Sequence, residues 1–202
     1  MIALDIEASG IDPHKNSILS IGAIDFDDPT NQFYDECRAW DGAHLNDEAL
    51  AVCGFSREEA TDPAKKTEAD VAKGFLAWAE DQRDWTIVGQ NPSFDRDYIR
   101  LACERAHIDF PLAHRTLDTH SLCYLHMLEH GVTPPFDDLK HRTNLNLDAV
   151  LNYVGIPEEP KPHNALTGAM CHAEVASRLL YDRNLLPEFE MYPIPWTVPK
   201  KP

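Results

Sequence analysis

The chain has 202 residues, a length that fits one domain of ordinary size. Hydrophobic residues make up 43% of it, enough to bury a substantial core and to exclude a disordered chain. The formal net charge of −16 repels a polyanion and argues against extended duplex binding, although a carboxylate site that holds cations would invert that sign locally.

The predicted elements run as follows. Residues 1–6 form an apolar run that reads as a buried strand, with Asp5 as its odd member. Ser9-Gly10-Ile11-Asp12-Pro13 is turn chemistry, and residues 18–26 are a second, Ile-rich strand. A further turn leads into a third strand over residues 32–40, so the three should form an antiparallel meander. The period then changes. Val71, Phe75, Trp78 and Ala79 share one helical face. A short strand follows at 85–89, with helices at 94–107 and 117–130. Leu147, Val150, Leu151 and Val154 mark a helix that Gly155 ends, and residues 164–180 form a last long helix. Residues 1–186 are expected to be the folded domain, and 187–202 a Pro-rich, extended tail that could clasp a second copy in a homodimer. The order of elements predicts an α/β fold, a mixed sheet flanked by helices.

No apolar run approaches the roughly 20 residues that cross a bilayer, and Asp5 comes too early for a signal peptide. The five cysteines are scattered without a C-x-x-C pair, so neither a disulfide framework nor a zinc knuckle is expected. A reduced, cytoplasmic setting is the simplest expectation.

Three strings carry chemistry. In Asp5-Ile6-Glu7, strand alternation puts both carboxylates on one face, and burying them needs a cation; hard oxygen ligands suit magnesium or manganese. Taken alone, the pair could equally be a strand end with acids facing solvent. Asn91-Pro92-Ser93-Phe94-Asp95 sets Asp95 at a helix N-terminus, as a ligand or an ordinary cap. Lys161-Pro162-His163-Asn164-Ala165-Leu166 holds His163 on a stiff approach to a helix, where it could serve as a general base or lie as one exposed loop histidine among ten.

These strings, in this order, resemble the three sequence blocks of the DEDDh family of 3′–5′ exonucleases, over most of the chain. Thr116-Leu117-Asp118-Thr119 and the helix ending at Gly155-Ile156 resemble two further family junctions. The resemblance implies a ribonuclease-H-like fold and a two-metal reaction on the 3′ end of single-stranded DNA or RNA, releasing nucleoside 5′-monophosphates. It implies that Asp5, Glu7 and Asp95 hold two magnesium or manganese ions and that His163 takes the proton of the attacking water. It further sets Ile6, Ala8, Ser9 and Phe94 beside the terminal nucleotide.

One position departs from the pattern. The family carries an Asp five residues after the histidine, and this chain has Gly168 there. Losing one carboxylate weakens a magnesium site. His172, one helical turn beyond, is a candidate replacement ligand, with an ordinary helix-surface residue as the alternative; Glu174 falls on another face. An acid restored at 168 should supply the missing ligand. The loss also keeps open a catalytically degenerate module that binds nucleic acid or a protein, and the acidic surface keeps open a hydrolase of small nucleotides. His126 and His130 share a helical face at zinc-binding spacing, but without a third ligand they read as a solvated surface.

Overall fold

A computed structural model of the chain describes residues 1–197. Strands β1 (Ile2–Ala8), β2 (Ile18–Asp25) and β3 (Gln32–Arg38) form the expected antiparallel meander. Two small helices that the periodicity did not predict follow, α1 (Asp47–Cys53) and α2 (Arg57–Ala60). Asn46 caps α1 by accepting from the Ala49 N–H, Gly54 ends it with positive φ, and Ser56 and Glu59 form a capping box on α2. A two-residue strand β4 (Lys66–Thr67) leads into α3 (Glu68–Glu80), whose Val71, Phe75 and Ala79 are buried as the spacing predicts.

Strand β5 (Ile87–Gly89) precedes α4 (Ser93–Arg105). The helix expected from 117 begins later. Residues Thr116–Asp118 are instead strand β6, and Asp118 caps α5 (Thr119–Glu129). A small separate hairpin, β7 (Phe136–Asp137) and β8 (Arg142–Thr143), leads to α6 (Leu147–Val154), which Gly155 ends at φ 83°. The last long helix is α7 (Ala165–Tyr181), with Asn164 as its N-cap.

The six-stranded sheet has the order β4-β3-β2-β1-β5-β6, with β5 and β6 parallel to β1. Strand β1 is therefore interior, and its residues alternate between two cores. Ile2, Leu4 and Ile6 join α3 and α4, with Phe75, Tyr98 and Ile99. Met1 and Ala3 face α7, with Ala169 and Ala173. Continuing that alternation assigns Asp5 and Glu7 to the α7 face.

The segment from Pro187 is not an extended tail. Pro187–Phe189 form a 3₁₀ turn, Phe189 is buried, and Tyr192 and Trp196 pack against the α6–α7 core. The reason is polar as well as apolar. Arg178 on α7 is fully buried and donates to Glu174 at 2.7 Å and to the carbonyls of Val154, Phe189 and Tyr192. Glu174 also accepts the N–H groups of Leu185 and Leu186. Trp196 covers His126, which is buried, stacked on His130 and hydrogen-bonded to Tyr153. His126 is thus a packed joint and not part of a solvated face, whereas His130 beside it stays exposed as expected. Residues 198–202 of the expected tail lie outside the described residues.

Removing one partner of a buried ion pair strands the other charge and here also three carbonyls. Arg178→Ala should therefore lower unfolding free energy by roughly 3–5 kcal/mol in urea denaturation; a loss under about 1 kcal/mol would contradict the clamp.

Candidate active site

The site is built at the C-terminal end of β1. Asp5 is paired in register with Gly22 of β2 and is faced from the other layer by Gly168 of α7. A Cβ on Gly22 would overlap the backbone of Ala165 and Leu166, so this glycine lets the start of α7 lie directly on the sheet. A Cβ on Gly168 would overlap the Asp5 carboxylate itself. The two glycines thus bring helix backbone against the strand that carries the acids.

Strand β5 is short and pairs with β1 only at Ile2 and Ala3. The Ile6 N–H beyond it is satisfied by Asp95, which accepts at 3.1 Å from the first turn of α4. Asp95 is thereby fixed against the acid strand, 3% exposed. His163 sits in the loop before α7, its N–H donating to the Val52 carbonyl of α1. The structure thus brings Asp5, Glu7 and Asp95 together, with His163 at the rim.

It also adds a residue that the sequence motifs did not mark. Glu159, 6% exposed, points into the same place. Its Oε2 lies 3.5 Å from His163 Nδ1, and its Oε1 accepts from the Asn164 N–H at 3.4 Å. One donor atom each from Glu7, Glu159 and His163 lie within 4.8 Å of one another. An acid four residues before the histidine, between two prolines, was the available signal; only the loop's path reveals where it points.

The other expected residues are placed differently. His172 is 1% exposed, and its Nδ1 hydrogen-bonds the Leu4 carbonyl at 2.9 Å. Burial drives its pKa down to about 4, so it is a neutral brace between α7 and β1. It is neither a helix-surface residue nor part of the acid group. Glu174 belongs to the Arg178 clamp. Ser9 is fully buried, its hydroxyl donating to the His44 carbonyl and accepting from the Ser17 N–H, so that side chain is not free for a nucleotide. The Ile6 side chain lies in the α3–α4 core. Ala8 and Phe94 remain partly exposed at the edge of the α3–α4 core, Phe94 against Tyr98.

The electrostatics are one-sided. Burial, then Asp95, Glu7 and Glu159, raise the Asp5 pKa well above the carboxylate range. Burial, then Glu159 and Asp95, push Glu7 to about 8. Burial pushes Asp95 to about 7, and Glu159 is raised by the same cause, opposed by His163. Among the described residues, no Lys or Arg pairs with any of the four. Four close carboxylates, all hard oxygen donors, fit magnesium or manganese, whose charge would hold them ionised.

Among known families, the model described as RNase_T exonuclease matches residues 2–176. No curated protein matches significantly. Among solved structures, product-bound exonuclease I is similar with a TM-score of 0.71 at 19% identity, covering 90% of this chain and 43% of that one. An E. coli exonuclease I complex with a 5cy-dT13 oligonucleotide gives 0.70 at 20%, covering 90% and 41%. The nuclease domain of 3′hExo, a DEDDh family member bound to rAMP, gives 0.68 at 17%, covering 92% and 93%. The fold shared with these structures is ribonuclease-H-like. The chain spans under half the length of the exonuclease I chains that it matches.

The raised pKa values fix a sign. The folded protein keeps protons on these acids that the unfolded chain releases, so folding loses stability as pH rises through the shifted range. In chelator, the melting temperature should fall from pH 5 to pH 8, and manganese should reverse the fall. A metal-free melting temperature that rises over that interval would contradict the uncompensated cluster.

Proposed function

The chain belongs to the RNase_T exonuclease family, and we propose that it is a metal-dependent 3′–5′ exonuclease of DEDDh type acting on single-stranded ends. The observation that carries this reading is the convergence of Asp5, Glu7, Asp95 and His163 on one buried acid cluster that no Lys or Arg among the described residues neutralises.

Asp5, Glu7 and Asp95 would hold magnesium or manganese. When bound, such ions would supply positive charge to stabilise the attacking water and the leaving oxygen of the phosphodiester. His163 would take the proton of the attacking water. Its Nδ1 is turned to Glu159, which leaves Nε2 for that proton. Attack at phosphorus breaks the bond to the 3′ oxygen and releases a nucleoside 5′-monophosphate. The partly exposed Ala8 and Phe94 are the proposed contacts of the terminal nucleotide.

A single-stranded end suits the charge of the protein. With a net charge of −16, it gains little from a long phosphate track, whereas bound cations attract one terminal phosphate. The oligonucleotide bound in an exonuclease I neighbour supports the same substrate class. The inert-module alternative draws on Gly168 alone.

A 5′-labelled single-stranded oligonucleotide with magnesium tests the reading. Wild type should shorten it stepwise from the 3′ end. Asp5→Ala should abolish the ladder while keeping a cooperative melt, and unchanged turnover in this variant would sink the assignment. His163→Ala should lower kcat about 10²–10⁴-fold with little change in metal affinity. Normal turnover at saturating metal would remove His163 from its role as base.

A further inference from the structure

We propose that Glu159 supplies the fourth carboxylate of the metal site, from the loop before His163, in place of the acid that the family carries at position 168. This rests on the metal-dependent reading above.

In this structure the Asp5 carboxylate occupies the space of a 168 side chain, so an acid there would have to push the Asp5 side chain aside. Glu159 restores the count of acids from another direction. Its backbone is held between Pro157, Pro160 and Pro162, which restrict the loop that carries it. The Asn164 N–H at the head of α7 fixes one of its oxygens. The other oxygen faces His163, and Glu159 and Glu7 both offer donor atoms within 4.8 Å of each other.

Burial makes this arrangement hard to explain as structural. Glu159 is 6% exposed and has no Lys or Arg partner among the described residues, although a structural acid at that depth is normally paired, as Glu68 is with Arg105 and Glu174 with Arg178. The groups that face it are the Glu7 carboxylate and the His163 ring. Such a group would be stable as an anion beside a bound divalent cation, which Glu159 and Glu7 could help hold. His172 is not part of this group: its ring is buried against β1, and the donor atoms that lie together are those of Glu7, Glu159 and His163.

Reaching in with the longer Glu side chain from the loop has a consequence. The same carboxylate would touch both the cation and the ring nitrogen of the proposed base. Metal binding and the orientation of His163 would then be coupled.

Manganese binding to the full chain, followed by electron paramagnetic resonance without substrate, tests this apart from turnover. Wild type, Asp5→Asn, Glu159→Gln and Gly168→Asp are compared, with melting in chelator as the check on folding. Glu159→Gln should lose at least about tenfold in manganese affinity, and excess manganese should recover part of its rate. Glu159→Asp, which keeps the charge but shortens the reach, should fall between it and wild type and serves if Glu159→Gln does not fold. Gly168→Asp should weaken binding, because its side chain displaces Asp5. Normal affinity in Glu159→Gln, with affinity lost in Asp5→Asn, would overturn the role of Glu159 and leave the exonuclease reading standing. A slower Glu159→Gln with unchanged affinity would likewise reduce it to a positioning residue for His163. Tighter binding by Gly168→Asp would overturn the substitution of one site for the other. Unchanged affinity in both Asp5→Asn and Glu159→Gln would overturn the metal reading itself.

Discussion

Asp5, Glu7, Asp95 and Glu159 lie together at the end of a buried strand, each raised in pKa chiefly by burial, and no Lys or Arg among the described residues pairs with them. Charges of one sign in such a place repel one another and lose hydration. The protein can keep them there only as protonated acids or around positive charge. Much of the surrounding architecture follows from holding this arrangement in place.

The backbone is arranged to make the approach. Gly22 lets α7 settle on β2, and Gly168 leaves space for the Asp5 carboxylate at the crossing. The shortness of β5 frees the Ile6 N–H, and Asp95 takes it, so a ladder hydrogen bond becomes the anchor of a functional side chain. Away from the acids, His172 ties α7 to the Leu4 carbonyl. Further along α7, the Arg178–Glu174 pair ties the helix to the chain that follows it. A helix pressed against repelling charge needs such fastening elsewhere along its length. The fastening elements are ordinary buried hydrogen bonds, fully satisfied.

Much of this was legible in the sequence. The three strands, α3, α4, α6 and α7 follow from apolar periodicity and their end signals, and D-x-E alternation correctly put two acids on one face. The helices α1 and α2 were missed although Asn46, Gly54 and the Ser56–Glu59 box mark their ends, because they are too short to show a period. The tail was misread because its prolines suggested an extended chain, while its anchoring comes from Arg178, distant in sequence. His172 and Glu159 were beyond reach for the same reason. Helical spacing puts His172 near the face of Gly168, yet the side chain turns to a strand carbonyl, and the direction of Glu159 depends on a loop path. Local pattern reports periodicity well; it does not report which buried partner a polar side chain finds.

The departure at Gly168 therefore need not be a loss. A family pattern counts acids by their position along one helix, whereas a cation responds to oxygen atoms in space, from whatever element they come. Diffraction at the manganese absorption edge, from crystals soaked in manganese chloride, tests the central claim most directly. Anomalous density among the carboxylates of Asp5, Glu7, Asp95 and Glu159 is the predicted result. Crystals that show none there at millimolar manganese, with the four acids holding protons or newly paired with Lys or Arg, would contradict it.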